Sequence, residues 1–174
     1  DLGEDSSGND NDFTANNFQA VAGNISLDDV SLTDPSSGWV SNMGSVGYVF
    51  TGDTDGGTYH TLLPATSDEN YSVNFSPGIA VSSSIEIFGR TGSQSVSSNL
   101  SSSVVYTSGQ WDTIYSGSGT LTLITMIANA NRPGLCGIKV DGVELLTLPD
   151  AGIDVLADSP TTYDDEGNGV GNYC

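Results

Sequence analysis

The sequence predicts an all-β fold, an antiparallel β-sandwich with little or no helix, and three observations lead to it. Polar and apolar residues alternate at residues 71–75 and again at 84–88, the pattern of half-buried strands. Hydrophobic residues make up 36% of the 174 residues and charged residues only 14%, which suits many short strands joined by turns. No helical apolar period persists over ten residues, and glycine and β-branched residues are dense throughout.

The chain begins with a segment that does not look like part of a folded core. Residues 1–20 carry Gly, Asn, Asp and Ser, and their isolated large apolar residues are Leu2, Phe13 and Phe18. Short apolar runs start at about Val21. We therefore expect an extended acidic arm over residues 1–20 and a sandwich domain over residues 21–147.

Turn residues divide the domain into strands. The first two predicted strands, at 71–75 and 84–88, are each followed by a predicted break, at residues 76–78 and 89–92. Further strands are predicted at 103–106, 111–115 and 121–127, and the tight turns between them favour antiparallel pairing. The clearest local signal is Asp141-Gly142 between two apolar segments, which predicts a two-residue hairpin turn over 138–145.

The composition returns to that of a linker after Leu146, which predicts a second acidic arm over residues 148–174. A similar phrase of Asp, Val, hydroxyl residues and Pro occurs at 29–36 and at 154–161. Both copies are interpreted as boundaries that bracket one module of a larger repetitive protein. Neighbouring copies of the chain, or neighbouring modules, are the expected partners of the two arms.

Charge narrows the class of partner. Twenty-two acidic residues against three basic ones give a formal net charge of −19, which repels nucleic-acid phosphates and anionic headgroups. The chain opens at Asp1, and no stretch approaches the roughly 20 apolar residues of a membrane helix. The sequence thus predicts no nucleic-acid partner and no membrane insertion. Cys136 and Cys174 either form a bridge that ties down the tail or remain two reduced thiols.

The two ends of the chain resemble a known class of protein. Residues 5–18, 158–163 and 171–174 look like linker phrases in repetitive virion proteins of marine and cyanobacterial tailed phages. Residues 111–121 and 138–145 are similar to the closing strands of β-sandwich modules in those tail-fibre and appendage proteins. The resemblance implies a structural virion component that functions in host attachment, located in the virion or otherwise outside the cell.

A second, shorter resemblance concerns the type of sandwich. Residues 48–55 are similar to the Phe-Asp-Gly-Asp-Thr phrase of discoidin-like, galactose-binding-type sandwiches, which implies a jelly-roll or discoidin-like domain. Thr51 replaces the usual Asp of that phrase, and Tyr59-His60 replaces the Trp expected shortly downstream. These departures weaken the implication of sugar binding more than the implication of the fold.

Residue types point to a cation and not to catalysis. Asp53 and Asp55 alternate before two glycines, a spacing that suits a calcium ion, although the pattern favours a plain Asp-Gly turn. His60 is the single histidine, and no Gly-x-Ser-x-Gly elbow is present. Glu86 and Glu144 alternate with apolar neighbours and are expected to point outward from their strands. The sequence therefore predicts that the protein is not an enzyme.

Aromatic and basic side chains are candidates for carbohydrate contact, because a flat ring covers a sugar face while polar groups bind its hydroxyls. The candidates are Trp39, Tyr59, His60, Arg90, Trp111 and Arg132. Both tryptophans also suit structural packing, and both arginines suit pairing with the abundant carboxylates.

Three classes of function remain. The first is a non-enzymatic structural and adhesion module of a phage appendage that assembles through its arms and contacts host glycans. The second is a subunit of a secreted bacterial surface filament or matrix, and the third is a stand-alone carbohydrate-binding module. The sequence favours the first.

Overall fold

The computed structural model describes residues 23–55 and 59–147. The predicted arms over residues 1–20 and 148–174 lie outside the described residues. Eleven strands and two short 3₁₀ helices, at Leu27–Asp29 and Val46–Phe50, make up the described part. The strands are β1 (Asn24–Ile25), β2 (Val30–Thr33), β3 (Tyr71–Val81), β4 (Ser84–Arg90), β5 (Ser95–Ser98), β6 (Val104–Val105), β7 (Trp111–Ser116), β8 (Gly119–Ile127), β9 (Gly134–Val140), β10 (Val143–Glu144) and β11 (Leu146–Thr147).

Two antiparallel sheets contain most of the strands. One has the order β10-β9-β4-β7, and the other has the order β2-β3-β8-β5-β6. The described residues form no α-helix, and none of their helices is both long and apolar enough to cross a membrane. The structure thus confirms the all-β prediction.

The core lies between the two sheets, because apolar residues of both belong to one buried cluster. In β3 the inward residues Tyr71, Val73 and Phe75 are buried, whereas Ser72 and Asn74 between them are half-buried. Such alternation places every second side chain on the core face. The other sheet contributes Ile85, Ile87, Ile114, Ile138 and Val140 to the same cluster. Each large apolar side chain buried there contributes roughly 1.5–3 kcal/mol to stability.

The predicted Asp-Gly hairpin is confirmed as the turn between β9 and β10. Asp141 and Gly142 have φ angles of 54° and 79°, the left-handed values that this two-residue turn requires. The Asp141 carboxylate also accepts hydrogen bonds from the backbone N–H groups of Ser82, Ser83 and Ser84. Asp141 therefore connects its own turn to the turn between β3 and β4, which is distant in sequence.

Several boundaries differ from the predictions. Val30–Thr33, part of the first supposed boundary phrase, is strand β2, which pairs with β3 and places Val30 in the core. The boundary interpretation of this first copy is therefore wrong; the second copy, at 154–161, lies outside the described residues. The predicted break at 76–78 is a register shift within one long strand, between Asn74 and Ile79. β4 continues to Arg90 and ends where Thr91 adopts a φ of 63°.

The segments flanking the sandwich meet in a separate two-stranded ribbon. β1 pairs with β11 in parallel, with Asn24 opposite Leu146 and Ile25 opposite Thr147. Because the pairing is parallel, the chain enters the ribbon at one end and leaves it at the other. Asn24 and Thr147 thus lie at opposite ends of the ribbon.

Candidate functional site

One end of the sandwich brings together three loops, because the strands that carry them are partners. β4 ends at Arg90 opposite the start of β9 at Gly134, and β8 ends at Ile127 opposite the start of β5 at Ser95. The connecting loops are residues 91–94 and 128–133. A third loop joins them, since the Arg90 Nη2 donates to the Thr54 carbonyl at 2.6 Å. We call this surface, formed by the described residues of 51–60 with 90–94 and 128–133, the loop end.

Asp53, Asp55 and His60 form the most concentrated chemistry of the loop end. One ligand atom from each of the three lies within 4.8 Å of the other two. His60 Nε2 is 3.5 Å from Asp53 Oδ2, and Asp53 Oδ1 accepts a hydrogen bond from the Asp55 N–H at 2.9 Å. The two carboxylates predicted as cation ligands are thus placed beside the histidine predicted as a sugar contact.

Thr51 holds the other side of the histidine ring. Its Oγ1 is 3.1 Å from His60 Nδ1, 3.4 Å from the Tyr48 carbonyl and 3.3 Å from the Asp53 N–H. The hydroxyl can donate to the Tyr48 carbonyl while it accepts from Asp53 N–H and from His60 Nδ1–H. That arrangement satisfies each group and turns the Nε2 atom toward the carboxylates.

Arg90 anchors the loop to the sheet. Besides its bond to the Thr54 carbonyl, its guanidinium lies 5.8 Å from the centre of the Phe88 ring. Its Nε is buried and has no hydrogen-bond partner among the described residues. This arginine therefore has a structural task, and it also places positive charge among the acids of the loop end.

Cys136 is buried, and its surroundings do not favour a nucleophilic thiolate. Its Sγ is 3.2 Å from the Thr61 Oγ1. Burial raises the pKa of the Cys136 thiol, although Thr61 and Arg90 oppose that shift. A buried thiol with a raised pKa is the unreactive kind. Cys174 lies outside the described residues, so the bridge between the two cysteines stays a prediction.

Four of the six predicted carbohydrate contacts lie at the loop end. Tyr59 is 56% exposed and packs edge-on against Tyr48, with ring centres 5.8 Å apart. Arg132 lies in the 128–133 loop, where its carbonyl accepts a hydrogen bond from the Thr91 hydroxyl. His60 and Arg90 complete the group. An exposed ring and several charged side chains are thus collected on one surface.

Trp39 lies against the core instead. Its ring packs edge-on against buried Tyr71 with centres 4.9 Å apart, and its Nε1 donates to Asp34 Oδ1 at 3.1 Å. A Cβ on Gly44 would be 2.4 Å from the Trp39 ring, so the backbone there fits closely over the indole. These contacts agree with the packing alternative for this residue.

Trp111 occupies the outer face of the four-stranded sheet. Lys139 Nζ lies 3.9 Å from the centre of one of its rings, and Phe88 packs edge-on against it at 5.5 Å. The indole reaches across to Gly137, where a Cβ would be 2.8 Å from Trp111 Cη2. Because Lys139 and Gly137 already contact the indole, less of the ring is left for a sugar than the sequence suggests.

Glu86 and Glu144 are cross-strand neighbours of Lys139 on the same sheet. Burial raises the pKa of Glu144, and the charge of Lys139 opposes the shift. Glu86 and Glu144 therefore lie on either side of Lys139 within the four-stranded sheet.

Sequence reasoning missed two contributors to these surfaces. Thr51 was noted only as a departure from the discoidin phrase, yet it positions His60. Lys139 was not singled out, yet it contacts Trp111. The spacing of Asp53, Asp55 and His60 is the sequence signal that could join the two carboxylates to the imidazole.

No protein-family model, no curated protein and no solved structure matches this chain. Its function is therefore inferred from the geometry of its own residues.

Proposed function

We propose that the protein is a non-enzymatic structural and adhesion module of an extracellular appendage of the tailed-phage type, and that its loop end contacts glycans of the host surface. The observation that carries the adhesive part is the convergence of exposed Tyr59 with His60, Arg90 and Arg132 on one end of a rigid sandwich. Loops held by a β-scaffold are the usual place for recognition residues.

The chemistry of the surface suits an oxygen-rich, uncharged ligand. An exposed tyrosine ring can cover a sugar face, and the neighbouring carboxylates, imidazole and guanidinium can bind hydroxyls. With a net charge of −19, the chain disfavours polyanions. A jelly-roll or discoidin-like type of sandwich is part of the same proposal.

The structural part of the proposal rests on the terminal ribbon. Because β1 and β11 run parallel, Asn24 and Thr147 lie at opposite ends of the ribbon. That geometry favours contacts with two different neighbours over a closed pair, as a repeating appendage requires. The buried, weakly acidic Cys136 thiol supports a role without nucleophilic catalysis.

Replacing Tyr59 with alanine is expected to weaken glycan binding about tenfold, which corresponds to roughly 1.4 kcal/mol of lost stacking. The measurement is binding of the chain to an array of bacterial surface polysaccharides, followed by calorimetric titration of the best ligand. Val143→Ala is the matched control, because Val143 is 42% exposed on β10 beside the Asp141-Gly142 turn, opposite Val140 at the end of β9 that lies away from the loop end.

The outcomes of that experiment are separable. Loss of binding in Trp111→Ala with full binding in Tyr59→Ala would move the contact to the outer sheet face. Absence of binding to any glycan would contradict the adhesive part of the proposal and leave the structural part to be decided by assembly.

Deletion of residues 1–18 is expected to abolish assembly while the sandwich stays folded, because the first strand begins at Asn24. Light scattering after gel filtration measures assembly, and circular dichroism with thermal unfolding measures the fold. If the shortened chain assembles like the full chain, the role assigned to the first arm is wrong.

A further inference from the structure

We infer that Asp53, Asp55 and His60 bind a divalent transition-metal ion of the zinc class, in place of the calcium ion that the carboxylates alone suggest. The site lies on the loop end and shares His60 with the proposed glycan contact, and the inference goes beyond that proposal to a second kind of ligand. It rests on three geometric observations at the loop end.

The first observation is the set of donor atoms. Calcium prefers six to eight oxygen ligands, whereas imidazole nitrogen together with carboxylate oxygen suits zinc and its neighbours. The structure brings the imidazole of His60 to the two carboxylates, with one ligand atom from each within 4.8 Å of the others. Two carboxylates and one neutral imidazole also match the charge of a divalent ion.

The second observation is the spacing. A tetrahedral zinc ion with bonds of about 2.1 Å holds its ligand atoms about 3.4 Å apart. The distance from His60 Nε2 to Asp53 Oδ2 is 3.5 Å, so this edge of the tetrahedron is already formed. Asp55 is exposed, and its carboxylate lies within 4.8 Å of the other two ligand atoms.

The third observation is the position of Thr51 behind the imidazole ring. Its Oγ1 is 3.1 Å from His60 Nδ1 and 3.4 Å from the Tyr48 carbonyl, so the ring is held through Nδ1. Nε2 is the nitrogen left toward the Asp53 carboxylate, 3.5 Å from its Oδ2.

A hydrogen bond to the second ring nitrogen is also the usual support of a metal-bound histidine, since it fixes the tautomer and the ring orientation. Asp53 is supported in the same way, because its Oδ1 is held by the Asp55 N–H and its Oδ2 is left toward the imidazole.

The chain has a single histidine, so the imidazole signals of the full chain, prepared without a histidine tag, report on this site alone. We would titrate chelator-treated protein with ZnCl₂ and record long-range proton–nitrogen spectra of the ring, with calorimetry for affinity. Metal-free protein is expected to show the Nδ1–H tautomer, and one equivalent of zinc is expected to shift Nε2. CaCl₂ is expected to leave the ring signals in place.

Matched variants separate this site from the acids elsewhere. Asp53→Asn keeps the oxygen that accepts from Asp55 N–H but removes the charge, and a loss of zinc affinity of at least tenfold is expected. Thr51→Val is expected to weaken zinc tenfold to a hundredfold through its effect on the ring. Asp28→Asn removes the same charge from an exposed turn and is expected to bind zinc like the parent chain.

Three results would overturn the inference: ring signals unmoved by millimolar zinc, a metal-free tautomer with the proton on Nε2, or equal zinc affinity in the parent and Asp53→Asn. Circular dichroism of each variant establishes that it is folded. Zinc binding and glycan binding are measured in separate titrations, so failure of one is distinguishable from failure of the other.

Discussion

Replacing Asp141 with alanine is expected to lower the free energy of unfolding by about 2–4 kcal/mol. The carboxylate accepts from three consecutive backbone N–H groups, with distances of 2.9 Å from Ser82, 2.7 Å from Ser83 and 3.0 Å from Ser84. Hydrogen bonds to a charged acceptor contribute roughly 1.5–3 kcal/mol. Alanine at a φ of 54° adds about 1 kcal/mol of backbone strain. Urea unfolding of both proteins measures the difference.

Asparagine at the same position is the matched control. Asp141→Asn tolerates the positive φ and keeps one acceptor oxygen, so about half of the loss is expected. An alanine variant as stable as the parent would show that the carboxylate does not fasten the two turns.

The same contact predicts a defined pH dependence. Desolvation raises the pKa of Asp141, but the hydrogen bonds from Ser84, Ser82 and Ser83 outweigh it and lower the pKa from 3.8 to about 2. Because the folded pKa is below the unfolded one, the stabilisation is complete above about pH 4 and is lost as the pH falls toward 2. The difference in stability between the parent and Asp141→Asn is therefore expected to shrink over that window.

The second large effect is expected from Gly89→Ala, with a loss of about 3 kcal/mol. A Cβ at this position would be 2.3 Å from two carbons of the Tyr106 ring. Tyr106 is 1% exposed, and its hydroxyl donates to the Arg90 carbonyl at 2.9 Å. The ring has no free space to retreat into, so the added methyl group displaces it from the core.

A double-mutant cycle checks that cause. Tyr106→Ala alone is expected to cost about 3–5 kcal/mol through the cavity that it leaves. In that background Gly89→Ala is expected to cost less than about 1 kcal/mol, because the clashing ring is gone. Additive losses would mean that the glycine is required for a reason other than contact with Tyr106.

The part of the fold that follows from local chemistry was predictable. Asp141-Gly142 specifies its own turn through backbone angles, and the alternation at Tyr71, Val73 and Phe75 marks the inward face of β3. β2 escaped prediction because its four residues are too short to show a period, and only pairing with β3 makes Val30 part of the core. The jelly-roll or discoidin-like type of the sandwich and the arms stay predictions.

The candidate site was predictable as residue types and not as an arrangement. The sequence offers Asp53 and Asp55 as cation ligands and His60 and Arg90 as carbohydrate contacts. It does not predict that the two sets lie together. These residues come together because Arg90 pairs with Gly134 and donates a hydrogen bond to the Thr54 carbonyl. Both contacts join distant parts of the chain. Trp111 differs from these residues. The sequence offers it as a sugar contact, but in the structure Lys139 and Gly137 already contact its indole ring.

We propose the loop end as the contact surface of this module. A map of backbone amide shifts in the full chain, recorded during titration with the polysaccharide that binds best on the array, tests this assignment. We expect the largest changes at Tyr59, His60 and Arg90. Changes confined to the outer sheet face around Trp111 and Lys139, or no change at either surface, would contradict it.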